Sequence, residues 1–129
     1  LELEPRIRVI IAGTKKSFLQ YKQFGANAYL NGISIVDARI GETFWKAYND
    51  NDCDTIDFIL NELEAPFFEI CAAKYGWHRT NKALLQAAGF MHRRDRMPLQ
   101  HLTDEEYLLV TNAYERIHLT WTSRYGELT

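Results

Sequence analysis

The chain has two cysteines, three prolines and no apolar run of the length that crosses a bilayer. Cys53 and Cys71 are too few for the disulfide framework of a small secreted fold. Each sits in a helical pattern, where a buried free thiol is common, so a reducing, cytoplasmic compartment is expected. A membrane helix needs about 20 predominantly apolar residues; none is found, and no membrane association is expected. The acidic opening Leu-Glu-Leu-Glu-Pro is neither a signal-peptide core nor a basic transit segment. Charge of one sign is also lacking: fifteen Lys and Arg against seventeen Asp and Glu leave a net charge of -2, so no general field draws the surface to nucleic acid or anionic lipid. The expected partner is a small molecule. There is no internal repeat, no glycine-rich phosphate loop and no Gly-x-Ser-x-Gly elbow. His78, His92, His101 and His118 lack metal-ligand spacing, and Asp50, Asp52 and Asp54 alternate without the glycine and closing glutamate of a calcium loop. Neither metal nor bound cofactor is expected.

What is present is an ordinary globular composition, 47% hydrophobic and 25% charged over 129 residues, enough for one domain. The chain is organised around residues 8–36. Residues 8–12 form a short β-branched run ended by Gly13-Thr14, which reads as a buried strand and a turn. Ser17, Phe18, Tyr21 and Phe24 recur at three- and four-residue spacing, predicting a helix over 15–24 closed by Gly25. Residues 26–36 are apolar again and predict a second strand, so the stretch is a βαβ crossover. No further strand follows, although parallel strands need both faces covered. The chain either borrows strands from a partner or ends a larger α/β protein; a first residue of Leu rather than Met favours the second.

Before this unit, residues 1–6 read as the tail of a loop or helix stopped by Pro5. After it the pattern is helical. Asp37 is a candidate cap for a helix through Ile40, Phe44, Ala47 and Tyr48, up to the break at 49–51. Asp52 opens a long helix to about Tyr75, with Ile56, Ile59, Leu60, Leu63, Phe67, Ile70 and Cys71 as its stripe and a kink expected at Pro66. Residues 77–88 form another helix, closed by Gly89. Residues 90–100 are a basic, irregular connector. Thr103 and Glu106 make a capping box for a last helix with Tyr107, Leu108, Val110, Tyr114 and Ile117 as its stripe; from His118 onward the periodicity weakens and fraying is expected.

The order of these pieces, and several of the residues in them, resemble the C-terminal part of the dihydrodipicolinate synthase and N-acetylneuraminate lyase family. The likeness runs through a strand ending in Gly13, the helix end Phe24-Gly25-Ala26, the strand 29–34 and Pro66-Phe67. It continues through Lys82-Ala83-Leu84-Leu85 with Gly89, Arg96-Met97-Pro98-Leu99 and Leu102-Thr103-Asp104-Glu105-Glu106. The resemblance implies an α/β fold, a partial TIM (β/α)8 barrel. Residues 1–50 would be its last two β/α units and 51–129 a C-terminal helical extension. It implies a Schiff-base lyase that acts on pyruvate or a related 2-oxo acid by aldol condensation, cleavage or dehydration. A barrel takes about 250 residues. The imine-forming lysine and the relay tyrosine of the family would precede Leu1, so no catalytic residue is assigned here and the chain alone would be inactive.

By the same resemblance, Gly13 leaves room for substrate after strand seven, and the carbonyl of Leu30 faces the keto acid. Thr14, Lys15 and Lys16 stand where members place groups that read the second substrate, and two lysines there imply an anionic one. Asn31 and Gly32 replace the serine and small or apolar residue of the synthases, and Trp77-His78-Arg79-Thr80 replaces their Asn-Pro-x-Pro segment, so the likeness carries a reaction class rather than a named activity. Gly13, Thr14, Lys15, Leu30, Asn31 and Gly32 are the candidate substrate-binding residues. A homo-oligomer, dimer or tetramer, is expected of the whole protein.

Plainer readings stand beside these. Lys15 and Lys16 fit a solvated turn better than an imine site. Lys82 fits a structural role, and the run 92–96 a solvated connector with Arg96 tied to a carboxylate. Trp45, Trp77, Phe67 and Phe68 fit core or interface packing. Two functional rivals remain, a stand-alone non-catalytic interaction module and a phosphate-binding barrel. The latter would carry glycine-rich loops after its last strands. An isolated two-stranded remnant is expected to aggregate or to be molten.

Overall fold

The computed structural model describes residues 7–30 and 32–127, without the side chain of Ile70. The expectations for residues 1–6, for Asn31 and for Ile70 in its stripe lie outside the described residues. Strand β1 (Val9–Ile11) pairs in parallel with β2 (Ala26–Tyr29), with Val9 opposite Ala26, Ile10 opposite Ala28 and Ile11 opposite Tyr29. Between them runs helix α1 (Lys15–Tyr21). Thr14 caps it by accepting the Ser17 N–H at 2.9 Å, and a 3-10 turn at Lys22–Phe24 tightens its end. Gly25 closes the unit at φ 92°, a left-handed conformation that a side chain resists.

The second strand is shorter than the sequence suggests. It stops at Tyr29, and Ile33–Ile35 form a 3-10 turn instead. A continuous apolar run carries no period to separate strand from turn, and the core claims Ile33, which is 1% exposed.

Helix α2 (Arg39–Asp50) follows, ended by Asn51 at φ 55°. Asp52 then caps α3 (Cys53–Phe58) by accepting the Thr55 N–H at 3.1 Å. The helical run continues through two wide-turn π-helical segments, Ile59–Glu64 and Phe67–Ala72, to α4 (Ala73–Tyr75). Pro66 lies between the two, where a chain missing one N–H reroutes its hydrogen bonds. The widening also serves packing. Thr55, Ile59, Leu63, Phe67, Cys71 and Tyr75 are all buried, one every fourth residue. In a 3.6-residue turn each four-residue step overshoots by about 40°, so such a stripe would wander around an ordinary helix. Wider turns undershoot and return it to the core side.

Helix α5 (Trp77–Ala87) ends in Gly89 at φ 78°, the connector 90–100 crosses the surface, and α6 (Asp104–Tyr125) closes the described fold. Its capping box is formed: the Glu106 N–H donates to the Thr103 hydroxyl at 3.2 Å, and the Thr103 N–H to the Glu106 carboxylate at 2.9 Å. Two expectations for α6 need correction. Leu108 faces solvent, and the inward residues are Val110, Ile117 and Trp121. Nor does the helix fray from His118; it holds to Tyr125 because Trp121, 1% exposed, donates its indole N–H to buried Asp37 at 2.9 Å. Arg39 binds the same carboxylate at 2.7 Å and reaches the carbonyls of Gly126 and Glu127. The cap expected at Asp37 falls instead on Ala38, whose side chain makes no capping hydrogen bond; Asp37, one residue earlier, accepts the Arg39 N–H at 3.0 Å and clamps both ends of the helical part together.

One core joins the strands to the last helix, through Phe18, Phe44, Ile59, Leu63, Leu84 and Trp121. The residues assigned above to barrel and extension share it. Cys71 is buried, but Cys53 is exposed at the start of α3, because a residue in the first turn after a cap need not face inward. Among the described residues the chain is mostly helical with one two-stranded parallel sheet, and no helix is long and apolar enough to cross a membrane.

The clamp makes a pH prediction. Burial by itself would raise the Asp37 carboxyl, but hydrogen bonds from Arg39 and Trp121 outweigh it and hold the group below the usual carboxylate range. A group depressed in the folded state stabilises the fold above its unfolded pKa of about 3.9 and loses that contribution as pH falls through the folded value. The stability gap between the native chain and Asp37→Asn, measured by urea unfolding, is expected to shrink as pH drops below about 4. A gap constant from neutral pH to pH 3 would sink this account.

Candidate functional site

A hollow of about 550 Å³ opens at the C-terminal ends of the two strands. Ala12 and Gly13, just past β1, and Leu30, just past β2, form one wall; Leu30 continues the ladder by donating its N–H to the Ile11 carbonyl at 2.9 Å. Phe68, Glu69, Ala72 and Ala73 from the end of the run 53–75, with Trp77 at the start of α5, form the other. The indole of Trp77 stacks on Phe68, with centroids 5.3 Å apart and planes 13° off parallel, and meets Phe67 edge-on at 6.0 Å. Its far edge lies on Gly32. A Cβ there would come within 1.7 Å of the indole, so only a glycine admits the ring in this position.

Of the six residues expected to bind substrate, Gly13 and Leu30 line the hollow and Gly32 lies against Trp77 on its border. Asn31 falls outside the described residues. Thr14 is engaged as the α1 cap, its hydroxyl 3.0 Å from that of Ser17. Lys15 does not line the hollow; its side chain is fully buried and its ammonium lies 3.3 Å from the Glu64 carboxylate. Lys16 is exposed and also absent from the lining. Neither of the two lysines expected to make the site cationic lines it, and among the described residues the one ionisable side chain in its lining is acidic Glu69.

Glu64 and Lys15 make a second, enclosed polar cluster. One Glu64 oxygen accepts the Lys15 backbone N–H at 3.1 Å as well as its ammonium, and the other accepts the Lys16 N–H at 3.4 Å. The carboxylate thus meets the positive end of α1 and a buried cation together. The Lys15 ammonium also lies 5.4 Å from the centroid of the Tyr29 ring and 5.9 Å from that of Phe44. Burial lowers the Lys15 pKa against the opposing attraction of Glu64. Burial and the Glu64 charge both push Tyr29 upward, and its hydroxyl has no partner among the described residues.

A third cluster pins the connector 90–100. Asp95 accepts Lys82 at 2.5 Å and lies 3.2 Å from His78 Nε2, and Lys82 also reaches the Arg94 carbonyl at 3.1 Å. The Lys82 hydrogen bond is the main cause of a lowered Asp95 pKa. The structural role expected of Lys82 is thus filled by a named contact. Within the run 92–96 the guanidinium tied to a carboxylate among the described residues is that of Arg93, on Asp104, rather than that of Arg96.

No known family model, curated protein or solved structure matches this chain. The site is therefore described by its own geometry. Trp77 and Phe68 are its largest contributors, and sequence reasoning assigned both to packing. A stacked pair nine residues apart, spanning a helix end, leaves no local signature; the glycine at 32 that admits the indole was the nearest sign. Among the described residues no group of three or more His, Cys, Asp or Glu is placed to hold a metal ion.

Proposed function

We propose that this chain supplies the last two β/α units and the helical extension of a (β/α)8 barrel, and that the barrel is a cytoplasmic, homo-oligomeric Schiff-base lyase for pyruvate or a related 2-oxo acid. The observation that carries the reading is the hollow at the C-terminal ends of two parallel strands, the end at which barrels build their sites. Ile10, 58% exposed on β1, agrees with it, since further strands would cover it.

In this reading Gly13 and Leu30 form one wall of the substrate site, while an earlier strand outside this chain supplies the imine lysine. Lys15 is a poor nucleophile for that purpose. Burial favours its neutral, reactive form, but it is sealed from the hollow and held on Glu64. The carboxylate of the oxo acid also needs donors from elsewhere, because the described residues of this wall offer it no cation.

The test is borohydride trapping of the whole protein with pyruvate, followed by peptide mass spectrometry. A reduced adduct on one lysine outside the 129 residues is expected, with none formed by this chain alone. The absence of any adduct would sink the lyase reading. The second reading, a non-catalytic module that pairs its strands with another chain, draws on the same open sheet. It predicts a stable oligomer of this chain by analytical ultracentrifugation.

A further inference from the structure

We propose that the hollow between the strand ends and Trp77 binds an uncharged, planar aromatic compound; that this compound also carries a carbonyl rests on the lyase reading. In the lyase proposed above this would be the second substrate; that role rests on the lyase reading, whereas the binding does not.

Size, shape and charge argue for this occupant. At about 550 Å³, the hollow lies in the range of small-molecule sites, roughly 300–1,000 Å³. Ala12, Gly13, Ala72 and Ala73 project almost nothing into it, while Phe68 and Trp77 bring a ready-made stack to its edge. Small residues facing stacked rings leave a slot suited to another ring, and stacking adds to area burial. Trp77 is 41% exposed, so part of its surface is open to a ligand.

Charge excludes the alternatives. Among the described residues Glu69 is the one ionisable side chain in the lining, and no Lys, Arg or His of theirs accompanies it. An anion brought there meets a like charge without a counter-charge. A polyol fares no better, since hydroxyls desolvated against alanine, leucine and aromatic carbon lose hydrogen bonds that the wall does not replace. This reverses the anionic substrate expected from Lys15 and Lys16.

In the proposed lyase, the imine of the 2-oxo acid loses a proton from its adjacent carbon, and that carbon forms a bond to the carbonyl carbon of the aromatic compound. The carbonyl electron pair moves to oxygen, which takes up a proton. Water then hydrolyses the imine, releasing the aldol and the free lysine.

The test uses acetophenone and its anionic analogue 4-acetylbenzoate, read by the indole N–H resonances of Trp45, Trp77 and Trp121. Acetophenone is expected to move the Trp77 resonance, and 4-acetylbenzoate to bind about tenfold more weakly or worse. Glu69→Gln should narrow that gap. Leu30→Asp, at an exposed position the fold tolerates, should weaken acetophenone about tenfold while leaving the Trp121 resonance in place as a check on folding. An unmoved Trp77 resonance, equal binding of the two ligands, or undiminished acetophenone binding in Leu30→Asp would overturn the proposal. Failure of pyruvate trapping alongside normal acetophenone binding would sink only the lyase reading. Trapping without acetophenone binding would sink only this one.

Discussion

Glu64→Ala is expected to cost the fold about 3–5 kcal/mol, the range found when one member of a buried ion pair is removed. The Lys15 and Glu64 side chains are 0% and 5% exposed, so water cannot take the place of the lost carboxylate. The backbone N–H groups of Lys15 and Lys16 lose their acceptor in the same step, at the end of α1 where donors are already in excess. The variant should also acquire a pH signature. Glu64 opposes the lowering of the Lys15 pKa by burial, so its removal drops that pKa further. Between a depressed folded value and the unfolded value of about 10.4, the unfolded chain binds more protons and stability rises with pH.

The loss is therefore expected to be smaller at pH 9 than at pH 7, measured as the difference in urea unfolding free energy from the native chain. Taking the difference removes the contribution of Cys71, which burial pushes up to about 11 and which weakens both proteins alike as the unfolded thiol ionises. Replacing both partners, Lys15→Met with Glu64→Leu, should recover most of the stability, because apolar residues of similar volume often match or exceed a buried pair. A loss below about 1 kcal/mol in Glu64→Ala at pH 7 would show the pair to be as weak as a surface bridge.

Trp121→Ala is expected to cost a comparable amount, about 3–5 kcal/mol for a large buried aromatic, and to act at a distance in sequence. It empties the space beneath α6 and removes one donor from Asp37, 84 residues earlier. Trp121→Phe keeps most of the volume and loses the hydrogen bond, so about 1.5–3 kcal/mol is expected for a bond to a charged acceptor. Hydrogen exchange gives the sharper reading. In Trp121→Ala the amides from 118 to 125 should lose protection while those around Val110 keep it, since the capping box still holds the start of α6. Uniform loss along the helix would show that the anchor is not local.

These two expectations separate what is readable locally from what is not. The Asp52 and Thr103 caps and the Gly25 and Gly89 stops involve residues within a few positions of one another, and the structure has each where the sequence places it. The β-branched run before Gly13 and the amphipathic helix after it are equally local, but the strand expected to be buried is half-exposed, with Ile10 facing outward. Periodicity failed where burial is set by distant chain. The run after Tyr29 lost its strand to a turn that buries Ile33, and the weak pattern after His118 concealed the Trp121 anchor. The stripe in the run 53–75 was legible as apolar, but its four-residue step needed π-helical turns to stay on one side.

The candidate site shows the same division. Gly13 and Leu30 are marked through the family resemblance alone, and both line the hollow, Leu30 because β2 stops at Tyr29 instead of running on to 36. Lys15 could not be placed that way, since its environment is decided by Glu64, 49 residues later, on a helix whose rotation depends on the π segments. The sequence by itself determined the helices, the caps at Asp52 and Thr103, the βα unit and the absence of a spanning helix, since these follow from neighbours in the chain and from composition. Only the tertiary structure decided which charges are buried together and which aromatic rings face the strand ends. A side chain's solvent, counter-charge and packing partners are supplied by residues remote in sequence, and its own neighbours say nothing about them.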